Sequence, residues 1–225
     1  MSAQQIRGDN LFKVFGGGTR RAVTALNGVS ISWAAGASVA LVGPSGSGKS
    51  TLVSLLGGLA RPTRGSVQFR DRDLATCADF ELARLRRSLG FLFQSESLIP
   101  ALKAWQNVSY PLVAQGVCEA ERRQRAEALL NRLNLSDRAE AFPDELSGGE
   151  QQRVAAARAL VADPEVVFAD EPTAHLDAAA SEQLASLFAS VRDEGTTIIV
   201  ATHDPLLVEA ADRVVHLDRG RIVDG

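Results

Sequence analysis

A glycine-rich stretch early in the chain has the residue types and spacing of a phosphate-binding loop. It reads GPSGSGKST and fits GxxxxGK[ST], between an apolar β-branched run and a helical pattern. Glycine accepts the positive φ that turns backbone N–H groups inward, so we expect these groups to surround a β-phosphate at the positive end of a helix. Lys49 is expected to reach the β- and γ-phosphate oxygens, and Ser50 to hold Mg²⁺. The residues assigned to phosphate binding are Gly43, Pro44, Ser45, Gly46, Ser47, Gly48, Lys49, Ser50 and Thr51.

Two adjacent carboxylates end another apolar run. Asp170 and Glu171 follow VVFA, and a strand of an open α/β sheet delivers the side chains at its carboxyl end into the ligand crevice. We predict that Asp170 fixes the Mg²⁺ shell, while Glu171 orients, or accepts a proton from, the water that attacks a γ-phosphate. The alternative is a pair of solvated acids that start a loop, which the phosphate-binding loop makes less favoured.

A second glycine-rich stretch, LSGGEQQR, allows two interpretations. Ser147 and Glu150 have the spacing of a capping box, which by itself only begins a helix. Gly148 and Gly149, however, occupy the first turn, where each glycine costs about 0.5–1 kcal/mol relative to alanine. Bare amides and a serine hydroxyl at a helix N-terminus form an anion site. The residues alone leave both interpretations open.

Short apolar runs of β-branched type alternate with helical patterns along the chain. Strands that are buried on both faces have this pattern, so we predict an α/β fold with a mostly parallel sheet and helical crossovers. The last residues, LDRGRIVDG, predict a hairpin. The runs are SVALVG (38–43), SVQF (66–69), GFLF (90–93), EVVFA (165–169), TTIIVA (196–201) and RVVHL (213–217).

About seventy residues of helical character separate the third run from the fourth, far more than a usual crossover connection. We predict a helical subdomain there. Within it, residues 119–135 have leucine and alanine at helical spacing on one side. Glu119 with Arg123, and Glu121 with Arg125, are expected to form i,i+4 pairs on the solvated side.

The overall composition excludes several classes of protein. Of the 225 residues 45% are hydrophobic, and 24 Lys and Arg against 27 Asp and Glu give a net charge of −3. This balance argues against a general nucleic-acid binder, which needs clustered basic residues in excess. Cys77 and Cys118 are far apart and lack ligand spacing, so neither a disulfide framework nor a zinc site is predicted.

No membrane-spanning segment is predicted. Residues 22–48 carry no charge, but Asn, Ser, Gly and Pro interrupt them too often for a spanning helix. The first ten residues lack the apolar region of a secretion signal. Any membrane contact is therefore expected to come through a partner.

Taken together, GPSGSGKST, LSGGEQQR and VVFADEPT, with a glutamine after the third run and a histidine after the fifth, resemble an ATP-binding cassette (ABC) ATPase domain. The resemblance covers nearly the whole chain. It implies a P-loop NTPase fold in a single domain, 1–225, with a mostly parallel core sheet, antiparallel β elements and a helical subdomain. The expected core spans about 1–93 and 163–225, and the helical subdomain about 94–162.

In that family LSGGE completes the nucleotide site of a second cassette rather than its own. The resemblance therefore implies a head-to-tail homodimer with two ATP molecules at its interface, each held between the phosphate loop of one chain and the signature stretch of the other. The signature residues assigned to the partner's ATP are Ser147, Gly148, Gly149 and Gln151.

Further positions follow from the same resemblance. Gln94 matches the glutamine that contacts Mg²⁺ and the attacking water, and His203 matches the histidine that hydrogen-bonds the γ-phosphate. Leu176 and Asp177 match a loop between the two chains, and His175 departs from the small or polar residue expected before them.

Phe15 stands where the family usually has a tyrosine that stacks on adenine, and its ring retains the stacking face. Phe12 is a rival candidate for the same contact, and core packing is the alternative for either ring.

The stretches FQSESLIPALKAWQNVSYPL and GGLARPTRG are most similar to ATPases of lipoprotein-release, macrolide-export and heterocyst-glycolipid-export systems. This resemblance implies an integral membrane permease that docks near residues 94–106, with Leu98, Ile99, Leu102 and Trp105 as apolar contacts or as local core. It also implies a cytoplasmic chain, peripheral on the cytoplasmic face of the inner or plasma membrane, without a nucleic-acid partner.

Two other functions remain as alternatives. One is a soluble ABC ATPase that acts on nucleic acid or the ribosome; the single cassette without a heptad insertion argues against it. The other is a regulator that binds nucleotide without hydrolysis, which the intact Asp170, Glu171 and His203 disfavour.

Overall fold

The computed structural model describes residues 4–18, 22–93 and 98–223. Its strands form two sheets, which pack against each other and against the helices. The antiparallel sheet, in spatial order β2-β1-β4-β5, contains β1 (Gln4–Phe15), β2 (Val23–Ala34), β4 (Arg64–Phe69) and β5 (Arg72–Asp73). The larger sheet, in order β10-β9-β3-β8-β7-β6, contains β3 (Ser38–Val42), β6 (Leu89–Leu92), β7 (Val166–Asp170), β8 (Thr197–Ala201), β9 (Arg213–Asp218) and β10 (Arg221–Val223).

The helices follow the crossovers between these strands and fill the long segment after β6. They are α1 (Lys49–Leu56), α2 (Asp79–Arg86), α3 (Ala104–Val113), α4 (Glu119–Arg132), α5 (Gly148–Leu160), α6 (Ala178–Asp193) and α7 (Pro205–Glu209). Short 3₁₀ turns occur at Ser136–Arg138 and Pro143–Glu145. Within the described residues, no helix combines the length and apolar character needed to cross a membrane.

The larger sheet confirms the predicted α/β fold with a mostly parallel core sheet. β3 pairs in parallel with β8 and β9, and β7 pairs in parallel with β6 and β8. Every residue of β7 and β8 is buried, which explains their continuous apolar sequence. β10 is antiparallel to β9 and closes the predicted terminal hairpin.

One predicted strand belongs to the other sheet. SVQF was grouped with the parallel runs, but it lies in β4, which pairs antiparallel with β1 and β5. The reason is the turn that follows: Arg70 has a φ of 54°, and the chain reverses at Asp71 into β5 instead of entering a crossover helix.

The segment between β6 and β7 is helical, as predicted, but one of its ion pairs differs. Arg125 lies 2.7 Å from Glu121, as the i,i+4 spacing predicts. Arg123, however, contacts Glu127 at 2.7 Å and Glu140 at 2.6 Å, so the predicted pair with Glu119 is wrong. Glu119 instead lies 3.9 Å from Arg122.

Two hydrophobic cores lie on opposite faces of the larger sheet. In β7, Phe168 points to the core shared with the antiparallel sheet, and Val167 points to the core shared with the helices. The alternation of a strand assigns successive side chains to the two sides. The described residues of the helical segment therefore form no separate core: Leu130 of α4 belongs to the same cluster as Val167.

Candidate functional site

Three neighbouring strands bring the predicted chemistry to one edge of the sheet. β3, β8 and β7 lie side by side and run in parallel, so their carboxyl ends meet. The phosphate loop follows β3, the pair Asp170 and Glu171 ends β7, and His203 follows β8. Residues more than a hundred positions apart in sequence thereby share one cavity.

The phosphate loop is packed tightly against backbone from other elements. Gly43 has a φ of 149°, and a Cβ on it would lie 2.0 Å from the carbonyl oxygen of Leu217 in β9. Gly48 has a φ of 107°, and its Cβ would lie 2.5 Å from the carbonyl oxygen of Ala25 in β2. No other residue type fits these positions.

The terminal hairpin also holds the loop by a hydrogen bond. The N–H of Gly220 donates to the carbonyl of Ser47 at 2.9 Å, and the carbonyl of Gly220 accepts from the N–H of Asn27 at 2.8 Å. A Cβ on Gly220 would lie 2.7 Å from the carbonyl oxygen of Ala25. The turn between β9 and β10 is therefore wedged between the loop and β2.

Lys49 begins α1 and is largely buried. Its Nζ donates to the carbonyls of Gly43 at 2.6 Å and Pro44 at 3.3 Å, and lies 3.3 Å from Nε2 of His203. The same Nε2 lies 3.4 Å from Oε1 of Glu171. It can accept from the lysine ammonium or donate to the glutamate, but one nitrogen cannot do both at once.

The cavity has a volume of about 580 Å³ and is bounded by the phosphate loop, the start of β2 and the ends of β7 and β8. A larger cavity, of about 690 Å³, opens between β1, β2, β9 and β10 and contains no predicted site residue. Most of the predicted phosphate-binding and catalytic residues line the smaller cavity. Its lining includes Ser45, Gly46, Ser47, Gly48, Lys49, Ser50, Thr51, Asp170, Glu171 and His203.

The cavity provides oxygen atoms suited to a hard cation. Asp170 is only 8% exposed, and its Oδ1 has no hydrogen-bond partner among the residues that the structure describes. A buried carboxylate oxygen without a partner is unfavourable unless a cation or donor contacts it. Ser50 contributes a hydroxyl to the same cavity. Mg²⁺ binds through one or two such ligands together with phosphate oxygens and waters, so these residues fit that ion.

Glu171 has the backbone conformation that a bulky residue rarely adopts. Its φ is 48°, and its N–H donates to the carbonyl of Ala201 at 2.8 Å. This bond to β8 holds the residue in a left-handed conformation directly after the strand. The strained position lies at the cavity, where a precisely directed carboxylate is useful.

The two aromatic candidates have different surroundings. Phe15 is 50% exposed and pairs across the sheet with Val23, which lines the cavity. Phe12 is covered by the guanidinium of Arg64, 4.3 Å from its ring centroid. Lys13 Nζ lies 5.2 Å from the ring centroid of Phe15, so both rings have a cation over one face. Phe15 is nevertheless the more exposed ring, and it is the one whose strand partner lines the cavity.

The signature stretch does not line this cavity. Ser147 and Gly148 are exposed at the start of α5, and the capping box is formed: the Ser147 N–H donates to Glu150 Oε2 at 2.8 Å, and the Glu150 N–H donates to Ser147 Oγ at 3.3 Å. Gln151 donates through Nε2 to the carbonyl of Pro143 at 2.9 Å. A Cβ on Gly149 would lie 3.2 Å from the carbonyl of His175.

Other predicted positions have mixed outcomes. Gln94 lies outside the described residues. Leu98 and Trp105 are buried in the helical core, whereas Ile99 and Leu102 are half-buried. Asp177 caps α6 by accepting from the N–H of Ala180 at 2.8 Å.

Sequence reasoning missed Gln152, which is fully buried beside the signature residues. Its helical spacing to buried Ala155, Ala156 and Ala159 was the signal that could have found it.

A family model described as ABC transporter matches residues 26–174, more than half of the chain. The matched range contains the phosphate loop, the signature stretch and the carboxylate pair.

Several relatives cover most of the chain. It is 46% identical to the uncharacterized ABC transporter ATP-binding protein Rv0073 of Mycobacterium tuberculosis, over 87% of the chain and 60% of that relative. It is 43% identical to the uncharacterized ABC transporter ATP-binding protein YknY of Bacillus subtilis, over 88% of the chain and 86% of the relative. It is 46% identical to the macrolide export ATP-binding/permease protein MacB of Salmonella choleraesuis, over 89% of the chain and 31% of the relative. The chain thus spans less than two thirds of the first and third relatives.

A solved structure is similar over almost the entire chain. The ATP-binding cassette MJ0796, in a dimeric post-hydrolysis state bound to ADP and Pi, has a TM-score of 0.93 and 36% sequence identity, with 97% of each chain covered. The chain has the fold of an ATP-binding cassette and belongs to the ABC transporter family.

Proposed function

We propose that the chain binds and hydrolyses ATP as a homodimer and drives a separate integral membrane permease. The observation that carries the proposal is the convergence of Lys49, Asp170, Glu171 and His203 on one cavity at the start of α1. A lysine and a helix N-terminus suit the binding of phosphates, and carboxylates suit the binding of Mg²⁺ and the positioning of an attacking water, so the set fits phosphoryl transfer to water.

In this proposal, the chain's own residues have separate tasks. The amides at the start of α1, together with Lys49, bind the phosphates, and Ser50 and Asp170 hold Mg²⁺ with Gln94. When bound, Mg²⁺ neutralises negative charge on the phosphate oxygens. Glu171 orients the attacking water or takes its proton, and His203 donates a hydrogen bond to the γ-phosphate. Phe15 stacks on the adenine.

The dimer brings the exposed signature residues to the partner's nucleotide. Ser147, Gly148, Gly149 and Gln151 of one chain complete the site of the other and exclude water from it. The exposure of Ser147 and Gly148, together with the dimeric form of the similar cassette MJ0796, supports this arrangement. Loss of contacts to the γ-phosphate after hydrolysis reopens the dimer.

The names of the relatives support a partner in the membrane. MacB is named a macrolide export ATP-binding/permease protein, which supports an export role for this chain. A lipoprotein-release role is the other form of this proposal, and it rests on the resemblance of the sequence alone. The chain acts on the cytoplasmic face of the inner or plasma membrane. The core of the chain spans about 1–93 and 163–225, and the helical subdomain spans about 94–162. This subdomain contacts the permease, and residue 94 moves with it.

The solution mass of the Glu171→Gln variant, with and without Mg-ATP, tests the shared site. The variant retains nucleotide but turns it over slowly, so a mass shift from monomer to dimer on addition of Mg-ATP is expected. A monomer that binds ATP and stays monomeric would contradict the homodimer. ATP binding is checked in the same samples by equilibrium dialysis.

A further inference from the structure

Gln152 is a polar side chain in a position that favours an apolar one. It lies in the second turn of α5, and its exposed fraction is 0%. Its Nε2 donates to the carbonyl of Pro172 at 3.0 Å, while its Oε1 has no hydrogen-bond partner within the described part of the chain. Buried amides normally satisfy both ends, so an unpaired oxygen is a cost that packing alone does not explain.

The accepting carbonyl belongs to the residue directly after Glu171. Proline has no N–H, so this carbonyl is the only backbone group through which Pro172 can be held by a hydrogen bond. On the other side, the N–H of Glu171 is held by the carbonyl of Ala201 at 2.8 Å. The strained Glu171–Pro172 unit is therefore attached to β8 at one end and to α5 at the other.

A second contact joins α5 to the same loop. Gly149 packs against the carbonyl of His175, three residues beyond Pro172, and a Cβ there would lie 3.2 Å away. The helix that begins with the signature residues thus contacts the loop after Glu171 at two points. Small movements of α5 are transmitted to this loop because packed interiors transmit strain.

We infer that Gln152 is a positioning residue for hydrolysis: its hydrogen bond to Pro172 fixes the Glu171 carboxylate relative to the signature helix of the same chain. The inference rests on the proposed ATPase function. In a dimer, α5 of one chain contacts the nucleotide bound by its partner. Through Gln152 that contact also adjusts Glu171 in the same chain as the helix, so the two nucleotide sites are connected.

Gln152→Met tests this role, because methionine has a similar volume and no amide donor. We expect kcat for ATP hydrolysis to fall about 10- to 100-fold, the range that displacement of a reacting group produces, with KM unchanged. In the Glu171→Gln background, measured by single turnover, the same substitution should cause no further loss, because the group it positions is already inactive.

Gln183→Met is the matched control. Gln183 also donates through Nε2 to a backbone carbonyl at 3.0 Å, that of Arg132 on α4, and it lies outside the proposed machinery. Its kcat should equal that of the wild type. If Gln152→Met is too unstable to purify, Gln152→Asn, whose amide is one carbon–carbon bond shorter, should give the same loss of kcat.

Three results would overturn the inference: a wild-type kcat in the Gln152 variants, a loss that adds to that of Glu171→Gln, or a change in KM alone. The wild-type protein is assayed first. An inactive wild type would instead contradict the proposed function, and the inference would fall with it.

Discussion

Two helices of this molecule begin with glycine-rich sequence, and they differ in what surrounds them. The start of α1 is enclosed by Lys49, Asp170 and Glu171 in one cavity. The start of α5 is exposed and lies outside that cavity; the charged groups beside it are its own Glu150, which accepts from the Ser147 N–H, and Arg138, 3.0 Å from Glu150. The difference shows that a helix N-terminus with bare amides is one component of a binding site, and that the sequence around it decides whether the site is complete.

The electrostatics of α5 strengthen this contrast. The pKa of Glu150 lies below its ordinary value, first because its carboxylate accepts from the N–H of Ser147, and further because of the Ser147 hydroxyl and Arg138. A carboxylate therefore already occupies the positive end of this helix. An anion must come with cations from elsewhere to bind there, as the nucleotide of a partner chain would.

The largest effect should come from the complete site. Glu171→Gln is expected to slow ATP turnover by about 10²- to 10⁴-fold, the contribution of a positioned general base, and to leave ATP affinity unchanged. Steady-state phosphate release and equilibrium dialysis measure the two quantities. Glu209→Gln, at the end of α7, is the control and should hydrolyse normally. Equal turnover in both variants would remove Glu171 from the mechanism.

The role proposed for the start of α5 in the partner's nucleotide site can be tested separately from the capping role of the same residues. Ser147→Ala and Glu150→Ala each remove one arm of the same capping box, so both should lower the melting temperature similarly. Only Ser147→Ala also removes a hydroxyl offered to the partner's phosphate. We expect it to weaken ATP-driven dimerisation roughly 10- to 100-fold, the value of a hydrogen bond to a charged group. Sedimentation of both variants in the Glu171→Gln background decides the matter, and equal weakening would favour the capping role.

The edge of the complete site offers a third test. Phe15→Ala should weaken ATP binding by about 5- to 150-fold, because stacking of a base on an aromatic ring is worth about 1–3 kcal/mol. Phe12→Ala, on the same strand, should leave ATP affinity unchanged because that ring is half-buried and its strand partner, Asn27, does not line the cavity. Titration calorimetry with ATP compares the two. A larger loss in the Phe12 variant would exchange their roles.

The smallest effect concerns the contribution of the Glu150 cap of α5 to the free energy of unfolding. Because the pKa of Glu150 is lower in the folded chain, its contribution is complete above the unfolded pKa of about 4.3 and is lost as the pH falls through the folded value. Glu150→Gln keeps the cap without titrating. Urea unfolding should therefore show the wild type more stable by up to about 1 kcal/mol at pH 6, with the difference shrinking below pH 4. A stability difference that does not change with pH would show that the Glu150 carboxylate does not cause it.

The sequence predicts the cavity at the start of α1 better than the role of the LSGGE stretch, for a physical reason. The phosphate loop, Asp170 and His203 follow buried parallel strands, and the geometry of such a sheet brings their ends together without further information. The role proposed for LSGGE depends on another molecule, which no local pattern reveals. The resemblance supplied that step.

Other features were missed because tertiary contacts override local patterns. β1 and β2 were not predicted because register shifts between them interrupt the alternation of apolar and polar residues. The Arg123 pair was wrong because Glu140, distant in sequence, is nearer than Glu119. Gln152 looks like its neighbour Gln151 in sequence, and only helical phase distinguishes the fully buried glutamine from the half-buried one.

The wedge formed by Gly220 and Leu217 against the phosphate loop has a consequence for synthesis of the protein. The loop leaves the ribosome long before the hairpin that holds Gly43 and Ser47 in place. A nascent chain should therefore acquire affinity for ATP only after the β9–β10 turn has emerged. Release of β9 and β10 from the ribosome would then mark the moment at which the new cassette becomes able to use nucleotide.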